Sequence, residues 1–184
     1  MPQTERKPNL LSRSCARFIA FLTRRGARLL TGARSLWVGC RPEMKQRIYF
    51  ANHNSHMDVF ALLSLFPLRR QASIHPVAAA DYFLRNKVMA WFALNILNII
   101  PISRKGGETN PLAQCEQALR DGKILILFPE GTRVPHGSEG QIQSGFSGLY
   151  KLLDSPVVPV AVDSGPLYHR WIKRPGTVTY RVGE

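Results

Sequence analysis

At 184 residues, 45% of them hydrophobic, the chain is long enough for one domain with a real core and too short for two ordinary ones. A formal charge of +13 and a pI near 10.4 are extreme for an enzyme of small neutral metabolites and point to an anionic partner. Cys15, Cys40 and Cys115 are odd in number, far apart and without a Cys-x-x-Cys pair, which argues against a disulfide framework and a zinc site and fits a reducing compartment. No apolar run reaches the roughly 18 residues of a spanning helix, and no secretory signal pattern is present.

The charge is asymmetric from the start: nine arginine or lysine residues through Arg41 face the single acid Glu5. At about 100° per helical residue, Leu11, Cys15, Phe18, Leu22 and Leu29 share one narrow face, and Arg13, Arg17, Arg24 and Arg28 cluster nearly opposite. That is the pattern of a helix lying on an anionic membrane surface, where each basic residue contributes roughly 1 kcal/mol. The competing reading packs the apolar stripe on the rest of the domain and leaves the arginines in water; a transit peptide shares the composition. Residues 1–40 are therefore expected to form a basic amphipathic segment, and residues 41–184 the main domain. Because the sequence stops at Gly183-Glu184, directly after a strand candidate, a domain truncated at its C-terminus is expected.

Beyond the basic segment, short apolar runs alternate with helical stretches, the signature of an α/β layer structure with a mixed, largely buried sheet flanked by helices. Strand candidates are residues 47–51, 75–80, 99–102, 123–128, 157–162 and 177–182. Helices are expected over 55–65, 81–97, 110–121 and 145–153. The third has Asn110 as N-cap, Pro111 in its first turn and Gly122 as its stop. The second is apolar around nearly its whole circumference, which implies deep burial or lipid contact, with core as the preferred reading.

Several of these strands end in polar loops that an open sheet would gather at one edge. In Asn52-His53-Asn54-Ser55-His56-Met57-Asp58, His53 is suited to take a proton near neutral pH, with Asp58 accepting its Nδ1 hydrogen. Ser55 invites a nucleophile reading, but Ser-x-x-Asp before an apolar run is a capping-box-like helix start. His56-x-Asp58 with a distant histidine would make a non-haem iron triad, a reading that leaves the phosphate-binding residue types of the other loops unused. Arg104 and Arg133 are candidates for phosphate binding through the guanidinium fork. Gly131 permits a tight turn, Thr132 offers a hydroxyl, and Glu130 either orients a substrate hydroxyl or pairs with an arginine.

Asn52-His53-x-Ser55-x-x-Asp58, Ile100-Pro101-Ile102-Ser103-Arg104, Phe128-Pro129-Glu130-Gly131-Thr132-Arg133 and Val157-Val158-Pro159-Val160 together resemble the four ordered blocks of the glycerolipid acyltransferase family, over roughly residues 46–184. The resemblance implies transfer of a fatty acyl group from acyl-CoA or acyl carrier protein, as co-substrate, to the free hydroxyl of lysophosphatidate. No bound cofactor or metal is expected. It assigns His53 as general base and Asp58 as its orienter, Arg104 and Arg133 to the acceptor phosphate, and Glu130, Gly131 and Thr132 to the acceptor site. Backbone donors near the helix entry would then stabilise the oxyanion. Two departures from the family pattern are Pro101 and Ser103 in the second block and the missing lysine in Ile142-Gln143-Ser144-Gly145. Alternative acceptors are another lysophospholipid, glycerol-3-phosphate or an amino-acid lipid. A basic nucleic-acid-binding module is the reading from another class, disfavoured because the charge concentrates in the first forty residues and no nucleic-acid motif appears. The implied setting is peripheral, on the cytoplasmic face of a membrane, the inner one in a bacterium.

Overall fold

Helix α1, Leu10–Thr31, is the amphipathic helix the N-terminal pattern predicts, but it turns an unexpected face to the domain. In the computed structural model, which describes residues 10–38, 47–55, 57–103, 112–135, 138, 140–143, 156–163 and 179–183, Phe18, Leu22 and Leu29 are 63%, 51% and 76% exposed. Ala20, Arg24, Ala27 and Thr31 are buried instead. The small side chains let α1 approach α2, Asp58–Leu65, closely, and Thr31 folds its hydroxyl back onto the Ala27 carbonyl at 2.7 Å. The reading in which the apolar stripe packs on the domain is thus corrected: the stripe faces outward, and Arg24, expected in water, lies inside.

The division at residue 40 does not separate two structural units either. Directly after α1, β1 (Arg34–Val38) pairs in parallel with β7 (Thr179–Gly183) along its full length. The sheet has the order β1-β7-β6-β2-β5-β3-β4, with β2 at Ile48–Ala51, β3 at Ile74–Ala79, β4 at Ile100–Ile102, β5 at Ile124–Leu127 and β6 at Val157–Asp163. From β6 to β4 all neighbours are parallel; β7 runs antiparallel to β6. All six strand candidates are present, and the mixed α/β architecture is as expected.

Three of these strands contain proline, which removes a ladder donor. Each proline sits where one flank is unpaired. Pro76 pairs with β5 one residue before β4 joins at Val77, Pro159 pairs with β2 one residue before β7 joins at Val160, and Pro101 is on the edge strand β4.

Strand alternation divides the core by sheet face. Tyr49, Ile74, Ile124 and Ile126 face α1, α2 and α4, whereas Ile48, Val77, Leu125 and Leu127 face α5 through Cys115 and Leu119. Helix α5, Ala113–Arg120, stops where Gly122 takes a φ of +72°, as predicted. Its expected cap, Asn110 with Pro111, and the helix expected at 145–153 lie outside the described residues.

The single helix expected over 81–97 is two: α3, Ala80–Phe83, and α4, Lys87–Asn95. Asn86 starts the second, its Oδ1 accepting the Met89 amide at 2.7 Å. The preference for core is also corrected, since Tyr82, Leu84, Val88, Trp91 and Leu94 are exposed, and Ala93 is the one buried residue of α4. A 3₁₀ segment, Leu68–Ser73, connects α2 to β3.

Candidate active site

The chain leaves β2 through Asn52, whose side-chain amide acts as one more rung of the ladder to β6. Its Oδ1 accepts from Val162 N at 2.5 Å, and its Nδ2 donates to Val162 O at 3.0 Å and to Asn54 Oδ1 at 2.6 Å. This fixes the direction in which His53 emerges, a role that residue type alone did not reveal.

His53 is held on both sides by the loop after β5. Its amide donates to Glu130 Oε2 at 2.9 Å, its carbonyl accepts from Val134 N at 2.7 Å, and its ring lies against Phe128 with centroids 4.3 Å apart. The turn supplying these partners is closed by Gly131 N donating to Phe128 O at 3.0 Å. Gly131 has a φ of +67°, a conformation in which a Cβ is strained.

The His53 Nδ1 to Asp58 Oδ2 distance is 3.1 Å, with the Asp58 side chain 1% exposed. The same oxygen accepts the amides of Asn54 and Ser55, both at 2.7 Å. Asp58 is the first residue of α2, where the positive end of the helix dipole favours an anion. An oxygen that already accepts two amide hydrogens meets Nδ1 as an acceptor too, which assigns the proton to Nδ1 and leaves Nε2 with its lone pair. Ser55 is buried; its Oγ accepts from Met57 N at 3.2 Å and its carbonyl from Asp58 N at 3.1 Å. Those bonds belong to a helix entry.

His53 opens onto a cleft of about 230 Å³. One wall is apolar, from Val59, Val77 to Ala79, Tyr82, Phe83 and Ile102; the other carries Gly131, Thr132 and Arg133. The structure therefore brings His53, Thr132 and Arg133 together from loops 77 or more residues apart in sequence. Arg104 lies outside the described residues, two positions past Ile102 of the cleft wall. His56 is outside them as well, and among the described residues no group of three His, Cys, Asp or Glu side chains is gathered as a metal site requires.

Two expectations are changed. Glu130 does not line this cleft: its carboxylate holds the His53 backbone and borders a neighbouring recess with Asn52 and Asn54. Gly140 presses so closely there that a Cβ would stand 2.7 Å from Glu130 Cγ. The donors expected for an oxyanion at the helix entry are also occupied, because the Asn54, Ser55 and Met57 amides all bind side-chain oxygens of the same turn.

Three comparisons bear on this arrangement. The family model described as Acyltransferase matches residues 40–163. A 1-acyl-sn-glycerol-3-phosphate acyltransferase of Pseudomonas aeruginosa is 30% identical over 144 residues, covering 76% of this chain and 53% of that protein. The chloroplastic 1-acyl-sn-glycerol-3-phosphate acyltransferase BAT2 of Brassica napus is 27% identical over 117 residues, covering 62% of this chain and 32% of its own length. The chain thus spans about half the length of the first of these relatives and a third of the second. The crystal structure of the 1-acyl-sn-glycerophosphate acyltransferase PlsC from Thermotoga maritima shares the fold, with a TM-score of 0.63 at 22% identity over 98% of this chain and 72% of that one. The family model alone covers well over half of the sequence, and the chain belongs to the acyltransferase family.

Proposed function

We propose that this protein transfers a fatty acyl group from a thioester, acyl-CoA or acyl carrier protein, to the free hydroxyl of lysophosphatidate, giving phosphatidate. The observation that carries the reading is the His53–Asp58 pair at 3.1 Å, opening onto a cleft that Arg133 also lines. His53 Nε2 takes the hydroxyl proton as the oxygen attacks the thioester carbonyl carbon. Asp58 stabilises the imidazolium that forms. That attack forms the ester C–O bond and gives a tetrahedral oxyanion; its collapse restores the carbonyl and breaks the C–S bond, and the imidazolium gives its proton to the departing thiolate. Arg133, with Arg104, binds the acceptor phosphate, Gly131 and Thr132 shape its site, and Glu130 acts by holding the His53 backbone. No acyl-enzyme is needed, in keeping with the buried position of Ser55.

The setting proposed is a membrane surface. On the sheet face covered by α1, α2 and α4, the stripe of Phe18, Leu22 and Leu29 and the exposed Val88, Trp91 and Leu94 of α4 offer apolar contact, while no described helix is long and apolar enough to cross a bilayer. The basic residues of α1 favour an anionic leaflet, on the cytoplasmic side.

The test is an acyl-transfer assay with acyl-CoA and acyl carrier protein donors against lysophosphatidate, other lysophospholipids, glycerol-3-phosphate and the phosphate-free acceptor monoacylglycerol. Lysophosphatidate is expected to be the preferred acceptor, and His53→Ala to abolish transfer. Unchanged transfer by His53→Ala overturns the mechanism; preference for an acceptor without phosphate overturns the role of the two arginines.

A further inference from the structure

Arg24 is the most unusual side chain outside the active site. It is 5% exposed, yet neither Nη1 nor Nη2 has a hydrogen-bond partner among the described residues. A buried guanidinium without partners is costly, because it has lost water and gained no acceptor. Burial pulls its pKa down to about 10, so it still carries its charge at neutral pH.

Arg24 also lines a recess of about 190 Å³ between α1 and the end of α2, shared with Arg28, Arg25 and Ser64, although its Nη1 and Nη2 are themselves buried. Arg25 stacks on Phe21, 5.5 Å from the ring centroid, and the Ser64 hydroxyl donates to Ala61 O at 2.6 Å, which leaves its oxygen able to accept or to be redirected. Among the described residues, three arginines and no acidic residue line this recess. It is separate from the catalytic cleft: Ser64 is about 9 Å of helix rise beyond Asp58, and the two cavities have no lining residue in common.

From this geometry we propose that the recess between α1 and α2 is a second anion site, in which Arg24 and Arg28 clamp a phosphate group. A fork of parallel N–H donors suits two phosphate oxygens, and an incoming anion supplies the acceptors that the buried guanidinium lacks. The recess lies on the flank of α1 between its buried face and its outward apolar stripe, at the depth a lipid phosphate takes beside an interfacial helix. The same chemistry is offered by free phosphate, and the site is independent of the chemistry assigned to His53.

The test compares wild type with Arg24→Met, which keeps the volume without the charge, and with Arg17→Met, which removes the same charge from an exposed position of the same helix. Thermal unfolding is followed against inorganic phosphate at constant ionic strength. Wild type and Arg17→Met are expected to show a Tm that climbs with the logarithm of phosphate concentration, by about 5 °C at roughly 100 times the dissociation constant; Arg24→Met is expected to unfold no earlier than wild type without phosphate and to lose the rise. If Arg24→Met fails to fold, Arg28→Gln serves instead, shifting the phosphate midpoint roughly tenfold. Sedimentation with phosphatidylcholine vesicles containing phosphatidylglycerol distinguishes the sources. Weaker vesicle binding by Arg24→Met than by Arg17→Met supports a lipid headgroup; equal vesicle binding, with the phosphate effect lost in Arg24→Met alone, supports a soluble anion. Absence of a phosphate-dependent Tm rise in wild type at constant ionic strength, or an equal response in the two methionine variants, overturns the proposal.

Discussion

Replacing Asp58 with asparagine separates the two tasks its carboxylate performs. Oδ2 accepts two backbone amides at 2.7 Å and faces His53 Nδ1 at 3.1 Å. The amide oxygen of asparagine fits the same place and keeps the helix entry, so the loss in stability is the difference between charge-assisted and neutral bonds, about 1–2 kcal/mol. The catalytic loss is larger. With charge centres about 4 Å apart and an effective dielectric near 20, the carboxylate stabilises an imidazolium by roughly 4 kcal/mol, which at about 1.4 kcal/mol per decade is close to three orders of magnitude in kcat. The assay is steady-state acyl transfer at saturating donor and acceptor, beside urea unfolding of both proteins. The expected result is a folded variant with kcat lowered roughly 10³-fold and acceptor KM nearly unchanged. A kcat within tenfold of wild type in a folded Asp58→Asn protein would refute the reasoning, leaving Asp58 to hold the Asn54 and Ser55 amides before α2 and no more.

Glu130 is expected to act on kcat through the His53 backbone: Glu130→Ala lowers kcat about tenfold with acceptor KM unchanged, and Glu130→Gln, which keeps an acceptor oxygen, restores most of it. A change in acceptor KM instead would return Glu130 to the acceptor site. Burial lowers the His75 pKa below the ordinary histidine value, against the opposing hydrogen bond from Nδ1 to Asn98 O. Below about pH 6.5 the unfolded chain then binds more protons than the native one, so His75 favours the fold above that pH and opposes it as acid is added. The drop in urea midpoint from pH 7.5 to 5.5 is expected to be smaller in His75→Gln, and an equal drop excludes His75 as its source. Phe18, Leu22 and Leu29 together replaced by serine should leave Tm nearly unchanged, since all three are exposed, yet weaken binding to anionic vesicles at least a hundredfold, given about 1.5–3 kcal/mol per fully buried apolar side chain. Unaltered vesicle binding removes α1 from the membrane contact.

The parallel strands were legible because each is a short apolar run whose partners lie on both sides, so composition alone marks them. His53, Asp58 and Arg133 were legible because they follow such runs. Strand β1 was not, since its sequence Arg34-Ser35-Leu36-Trp37-Val38 reads as a continuation of the basic segment and becomes a strand only through partners at 179–183. The facing of α1 escaped for a related reason: the periodicity identified an apolar stripe, but the small side chains at Ala16, Ala20 and Ala27 chose the packed face. Asn86 did carry a readable signal, an N-cap type before an apolar stretch, which near-continuous hydrophobicity masked. The task of Glu130 depends on a hydrogen bond across 77 residues, beyond the reach of local pattern.

The pairing of β1 with β7 also imposes an order on synthesis. Among the described residues, 34–38 pair only with 179–183, and at roughly 5–20 residues per second the wait for them is on the order of ten seconds. Helix α1, with its outward Phe18, Leu22 and Leu29, is complete long before then. In the membrane setting proposed above, the nascent chain has time to meet a lipid surface while the far edge of its sheet is still open.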